Sequence, residues 1–136
     1  MKLFTLFLPL FFVFLTATVA SAHPNPQYRV CYEHGGEFVV AEVPFDQVGL
    51  CKVGNSYVGA IDLMNFFYEN KSDLSISGYS AAVTSCPKFI AATTLENVSV
   101  QLCMYDDNSI LDFQTVMNTK FSFDNATFNQ FLGLAD

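Results

Sequence analysis

The chain has 136 residues, with 6 lysines and arginines against 13 aspartates and glutamates, a formal net charge of −7 and no tryptophan. Such an acidic surface repels nucleic acid and anionic lipid and attracts cationic partners, which excludes nucleic-acid binding. The length suffices for one modest domain or two very small ones packed together.

In chain order, the first element is a leader. Lys2, an apolar run over 3–16 and Ala20-Ser21-Ala22 form the basic start, hydrophobic stretch and small-x-small end of a signal peptide cleaved after Ala22. The run is shorter than the roughly 20 residues that cross a bilayer, so no transmembrane anchor is expected after cleavage. The mature chain then begins at His23 and is secreted or periplasmic, where cysteines persist as disulfides.

Asn25-Pro26 predicts a helix start, with Asn as cap and Pro at the first helical position, and Gly35-Gly36 predicts its end after His34. Residues 37–43 and 48–53 are rich in β-branched and aromatic side chains and read as two strands joined by a turn over 44–47. Asn55 or Ser56 is expected to cap a second helix carrying Val58, Ile61, Met64 or Asn65, and Tyr68 near helical spacing. Residues 70–78 are polar and read as a linker. The order then returns: a helix over 79–85 stopped at Cys86-Pro87, strands over 88–94 and 98–105, a cap within 106–109 and a helix over 110–119. A terminal helix capped by Asp124 or Asn125 and carrying Phe128, Phe131, Leu132 and Leu134 is expected to cover the core.

The return is also one of sequence. Val48-Gly49-Leu50-Cys51, Asn55-Ser56 and Leu63-Met64-Asn65 match Val100-Gln101-Leu102-Cys103, Asn108-Ser109 and Val116-Met117-Asn118 after one inserted residue. The expected architecture is α+β: two duplicated helix-strand-strand-helix units, 23–72 and 73–136, forming an antiparallel sheet of about four strands with packed helices. Four cysteines allow three pairings. Duplication selects Cys31 with Cys51 and Cys86 with Cys103, each closing a loop worth about 3 kcal/mol on the chain-entropy argument.

Asn25-Pro26, Tyr28, Cys31, Gly35-Gly36, Gly49-x-Cys51 and the helical stretch ending at Phe66-Phe67 together resemble a small exported bacterial family of unknown function whose members are often labelled hemolysins. The likeness covers the first half of the mature chain. After the second cysteine the chain has Val53-Gly54-Asn55 in place of that family's Pro-Asp-Gly-like turn, and it lacks the family's tryptophan. The resemblance implies an exported bacterial module without an assigned catalytic residue. Its label supplies a membrane-active alternative, against which the acidic surface and the lack of a basic amphipathic helix weigh.

Chemistry-bearing residues are few. A mature N-terminus at His23 offers an amine and an imidazole that with His34 form a three-nitrogen copper set, the alternative to a protein without a cofactor. Asp106, Asp107, Asn108 and Asp112 lack the glycine and glutamate spacing of a calcium loop and read as a solvated turn and helix cap. No Gly-x-Ser-x-Gly elbow occurs, and no enzyme is expected. Asn70, Asn97 and Asn125 stand in glycosylation sequons, relevant in a eukaryotic host. The leading expectation is an exported binding, inhibitory or envelope-associated module, recognising a protein or cationic ligand through the loops of Phe45, Asp46 and Gln47 and of Asp106, Asp107 and Asn108.

Overall fold

The computed structural model describes residues 25–83, 85–118 and 123–134, the side chains of 123 and 124 excepted. The expected leader, His23 and the capping side chain of Asp124 therefore lie outside the described residues.

Helix α1 (Pro26–Glu33) starts as its sequence dictates: Asn25 Oδ1 accepts the Gln27 N–H at 2.9 Å, and Pro26 has no N–H to leave unpaired. It ends where Gly35 takes φ +84° and the Gly36 N–H bonds back to the Cys31 carbonyl at 2.8 Å. Strands β1 (Glu37–Val43) and β2 (Asp46–Val53) then form a hairpin in the register Phe38↔Cys51 and Ala41↔Val48. The turn is tighter than expected. Only Pro44 and Phe45 bridge the strands, and Phe45 has φ 68°.

The next element corrects the expected helix cap at Asn55 or Ser56. Residues Ser56–Gly59 form strand β3, paired Val53↔Ser56 and Cys51↔Val58, and α2 (Ala60–Tyr68) begins only afterwards. Gly54 at φ 59° turns the chain straight back onto β2, and the Ser56 hydroxyl is spent on Thr115 Oγ1, 2.7 Å away, so it caps nothing. The same correction applies to the second expected helix over 110–119. Ile110–Asp112 form strand β6, and α4 (Phe113–Met117) starts after Asp112, whose Oδ2 accepts the Thr115 N–H at 3.0 Å.

Helix α3 (Leu74–Ser80) lies earlier than the expected 79–85, because Asp73 is its cap and accepts the Ile76 N–H at 3.0 Å. Strand β4 (Lys88–Thr94) coincides with expectation, β5 (Ser99–Met104) is one residue shorter at each end, and α5 (Phe123–Phe131) closes the chain. Phe128 is fully buried, its ring 5.0 Å from that of Tyr79, so the tail does cover the core. Leu134 lies beyond Gly133, which takes φ 72°, and is exposed.

The fold is therefore α+β, but the four-stranded open sheet is replaced by six antiparallel strands in the order β1-β2-β3-β6-β5-β4, closed as a barrel. Two short seams make the closure: Val58↔Leu111 between β3 and β6, and Ala41↔Thr94 with Glu42↔Thr93 between β1 and β4. Strand alternation sends Ala41, Leu50, Ala92, Leu102 and Ile110 into the barrel. It sends Cys51, Val58, Cys103 and Leu111 outward, under a layer made of Val30, Leu63, Val116 and Phe128 from the helices. Two disulfides staple that layer to the barrel: Cys31–Cys51 joins α1 to β2 and Cys86–Cys103 joins the segment after α3 to β5, with Cα separations of 5.4 and 5.2 Å. Among the described residues no helix is long and apolar enough to cross a membrane.

Candidate functional site

The start of β2, the first turn of α2, the segment before α3 and the β5–β6 turn surround a cleft of about 610 Å³. Asp46 and Gln47 reach it from one side, and Asp107 and Asn108 from the other. These are four of the six loop residues singled out in the sequence. Phe45 stands fully exposed at the hairpin tip beside them, held in a left-handed conformation that a bulky side chain rarely adopts. Asp106 is exposed and is not part of the lining.

Four carboxylates line this cleft, and three of them, Asp62, Asp73 and Asp107, have different work. Asp107 is tied up structurally: its Oδ2 accepts the Leu74 N–H at 2.8 Å and its Oδ1 accepts the Ser109 N–H at 3.0 Å and the Ser109 hydroxyl at 2.5 Å. Ser109 Oγ in turn accepts the Ser75 N–H at 2.9 Å, so the β5–β6 turn and Asp73 together satisfy the first three amides of α3. Desolvation pushes the Asp107 carboxyl up, but the bonds from Ser109 and Leu74 outweigh it and hold it below the usual carboxylate range.

Asp62 and Asp73 were not singled out by sequence, and they form the floor. Asp62 sits in the first turn of α2 and is buried, with Oδ2 accepting the Ile110 N–H at 2.8 Å. Burial, reinforced by the negative charge of Asp73 and then of Asp107, raises its pKa to about 8 despite the Ile110 bond. Asp73 uses Oδ1 for the Ser75 hydroxyl and the Ile76 N–H, whereas its buried Oδ2 has no donor within hydrogen-bond reach. With its pKa raised to about 8, Asp62 keeps its proton at neutral pH beside the Asp73 carboxylate. Lys71 lines the same cleft, but its ammonium is paired with Glu69.

A second cleft of about 570 Å³ lies around Tyr57, Val100, Gln101, Asp112 and Gln114. Its carboxylate is saturated. Asp112 Oδ1 accepts the Tyr57 N–H at 2.7 Å and the Thr115 hydroxyl at 2.6 Å, while Oδ2 caps α4. Desolvation nevertheless keeps Asp112 above its ordinary pKa.

The remaining residues singled out in the sequence are scattered. His34 ends α1 with Nδ1 3.1 Å from the Val30 carbonyl and its ring stacked on Phe67 at 3.8 Å, a packed position in which only Nε2 is left for another role. Its proposed copper partner His23 is outside the described residues, and among the described residues no cluster of three or more His, Cys, Asp or Glu is placed to hold a metal. Asn70 and Asn97 occupy exposed turns at φ 50° and 63°. Asn125 differs, because its amide is buried and Nδ2 donates to the Asn118 carbonyl at 3.0 Å, leaving no room for a glycan in the folded protein.

No protein-family model matches the chain, and no curated protein or solved structure matches it.

Proposed function

We propose that the protein is an exported, disulfide-stapled binding module, built by duplication, that takes its partner in the cleft between the β1–β2 hairpin and the β5–β6 turn and acts without catalysis. The observation that carries the reading is convergence: two loops far apart in sequence line one concavity, and an aromatic side chain stands fully exposed at its rim. Exposed large aromatics at a rigid turn are common anchors in recognition surfaces. Duplication is supported by registers that repeat across the chain. Phe38↔Cys51↔Val58 corresponds to Phe89↔Cys103↔Leu111, and Val58 pairs with Leu111 at the seam.

The test is selection of a random peptide library on the disulfide-bonded mature protein. Selected peptides are expected to bind wild type, to lose at least tenfold in affinity against Phe45→Ser with Gln47→Ala, to keep it against Gln114→Ala in the second cleft, and to be recovered chemically unchanged. Peptides that ignore the first pair of changes, or that return cleaved or modified, overturn the reading.

A further inference from the structure

We infer that the second cleft, around Tyr57, Gln101 and Gln114, binds a neutral oligosaccharide. This site is separate from the peptide cleft and does not depend on it. Its ground is a lining that is polar and accessible but offers a ligand no charge. The one carboxylate there, Asp112, is buried, and both its oxygens already accept bonds from Tyr57 and Thr115. What a ligand meets instead is amide and hydroxyl: Asn55, Gln101 and Gln114, with Thr93 and Ser99, all exposed. Among the described residues nothing bonds to the side-chain amides of Asn55, Gln101 and Gln114, so each offers two N–H donors and a carbonyl acceptor. Adjacent donors and acceptors match vicinal hydroxyls, each of which donates and accepts at once. A charged ligand gains no ion pair here.

The three amides stand on separate elements held in place by the fold. Asn55 follows Gly54 in the β2–β3 turn, Gln101 is in mid-β5, and Gln114 is in the first turn of α4, which Asp112 caps. Asp112 also accepts the Tyr57 N–H at 2.7 Å and so ties β3 to the start of α4. Tyr57 is half-buried, packs on the inner cluster of the barrel and gives the cleft an aromatic wall, to which Val98 and Val100 add apolar surface. Amides beside such a wall suit a sugar ring, with its polar edge and apolar C–H faces. Ala91, the direct partner of Gln101 across the β4–β5 register, leaves the space opposite it open. Duplication supplies the comparison: Gly49 and Ile61 stand in the first half where this cleft has Gln101 and Gln114, so the fold does not dictate the two glutamines. A smaller cavity of about 160 Å³ shares Asn55 and Gln114 with the cleft of about 570 Å³ and continues through Ser56, Thr115, Asn118 and Asn125, again hydroxyls and amides. Two adjoining cavities with one lining chemistry suit several linked sugars better than one.

Isothermal titration of the disulfide-bonded mature protein with cellohexaose, maltohexaose, mannohexaose and chitohexaose tests this, with hexagalacturonate and fully deacetylated chitohexaose as the anionic and cationic counterparts. Saturable binding of at least one neutral probe is expected, and it should survive NaCl at about 0.5 M, where ion pairs are screened. Gln101→Ala and Gln114→Ala are each expected to weaken that binding about fivefold, the loss of one or two hydrogen bonds, and the double variant at least tenfold. Both side chains are exposed, and far-ultraviolet circular dichroism with a non-reducing peptide map verifies that the variants fold. Preference for one neutral probe supports the site and identifies its sugar; equal binding of all four supports a site that reads hydroxyl pairs alone. Failure of every neutral probe to bind, binding that the double variant leaves intact, or equal or tighter binding of a charged counterpart overturns the inference.

Discussion

On either side of the β3–β6 seam a buried carboxylate accepts a strand amide from the opposite half, and each carboxylate comes from a different backbone position. Asp112, at the end of β6, reaches the Tyr57 N–H; Asp62, in the first turn of α2, reaches the Ile110 N–H. In the repeat register Gly59 stands where the other half has Asp112, and Thr115 stands where the first half has Asp62. The exchange is sterically obligatory, because a Cβ at Gly59 would collide with the Asp62 carboxylate. Gly59→Ala is therefore expected to destabilise the fold by about 1–3 kcal/mol in denaturant titration, and much less in an Asp62→Ala background. The pH dependence of Asp62 has a fixed sign. Its folded pKa of about 8 exceeds the unfolded carboxyl value, so its contribution is fully present below about pH 4 and is lost as pH rises toward 8. Asp62→Asn, which imitates the protonated carboxyl, should exceed wild type in stability by on the order of 2 kcal/mol at pH 8.5 and converge with it near pH 4. Thermal melts at the two pH values decide, and a difference independent of pH would refute the assignment. These residues were half-visible in the sequence: aligning the two copies puts Gly59 opposite Asp112 and Asp62 opposite Thr115, a reciprocal swap of small for acidic, but nothing local says that the two acids face the same seam.

At the scale of elements, legibility followed the range of the interactions. Helix α1 and strands β1 and β4 are written in adjacent residues, the Asn-Pro start, the Gly-Gly stop and runs of β-branched side chains, and the structure has them within a residue of expectation. Strands β3 and β6 are only four and three residues long, and their apolar positions overlap with the first turn of the helices that follow them. Periodicity alone cannot separate such short strands from a helix start, since the pairing that joins them, Val58 with Leu111, lies far outside the local window. Helix α3 was read late for a related reason, because Asp107 and Ser109, which satisfy its first two amides, lie more than 30 residues away in sequence. Asp107→Ala should accordingly cost about 1 kcal/mol and speed amide hydrogen exchange at Leu74 and Ser75 before it affects the strands. Equal exchange across the whole chain would show that α3 has no separate stability. The cleft was legible as two loops, not as a pair of buried acids, because burial is a property of the closed barrel.

In the whole molecule the pairing of cysteines was legible from the repeat, whereas closure of the barrel was not, since the seams rest on three residue pairs spread over the chain. Each disulfide spans residues close in sequence, with separations of 20 and 17, and each lies within one half of the barrel. Replacing Cys86 and Cys103 by serine should cost about 3 kcal/mol, with the loss concentrated in protection of β4 and β5 and the first hairpin opening later. Simultaneous loss of both halves would show that the barrel unfolds as one unit despite its thin seams. The covalent layout has a further consequence. Because neither bridge crosses a seam, and residues 69–73 alone connect α2 to α3, the edges that close one barrel are equally able to close against a neighbour's. Two chains refolded together at high concentration, with their cysteines correctly paired, should yield a reciprocally exchanged dimer that dissociates without any reductant.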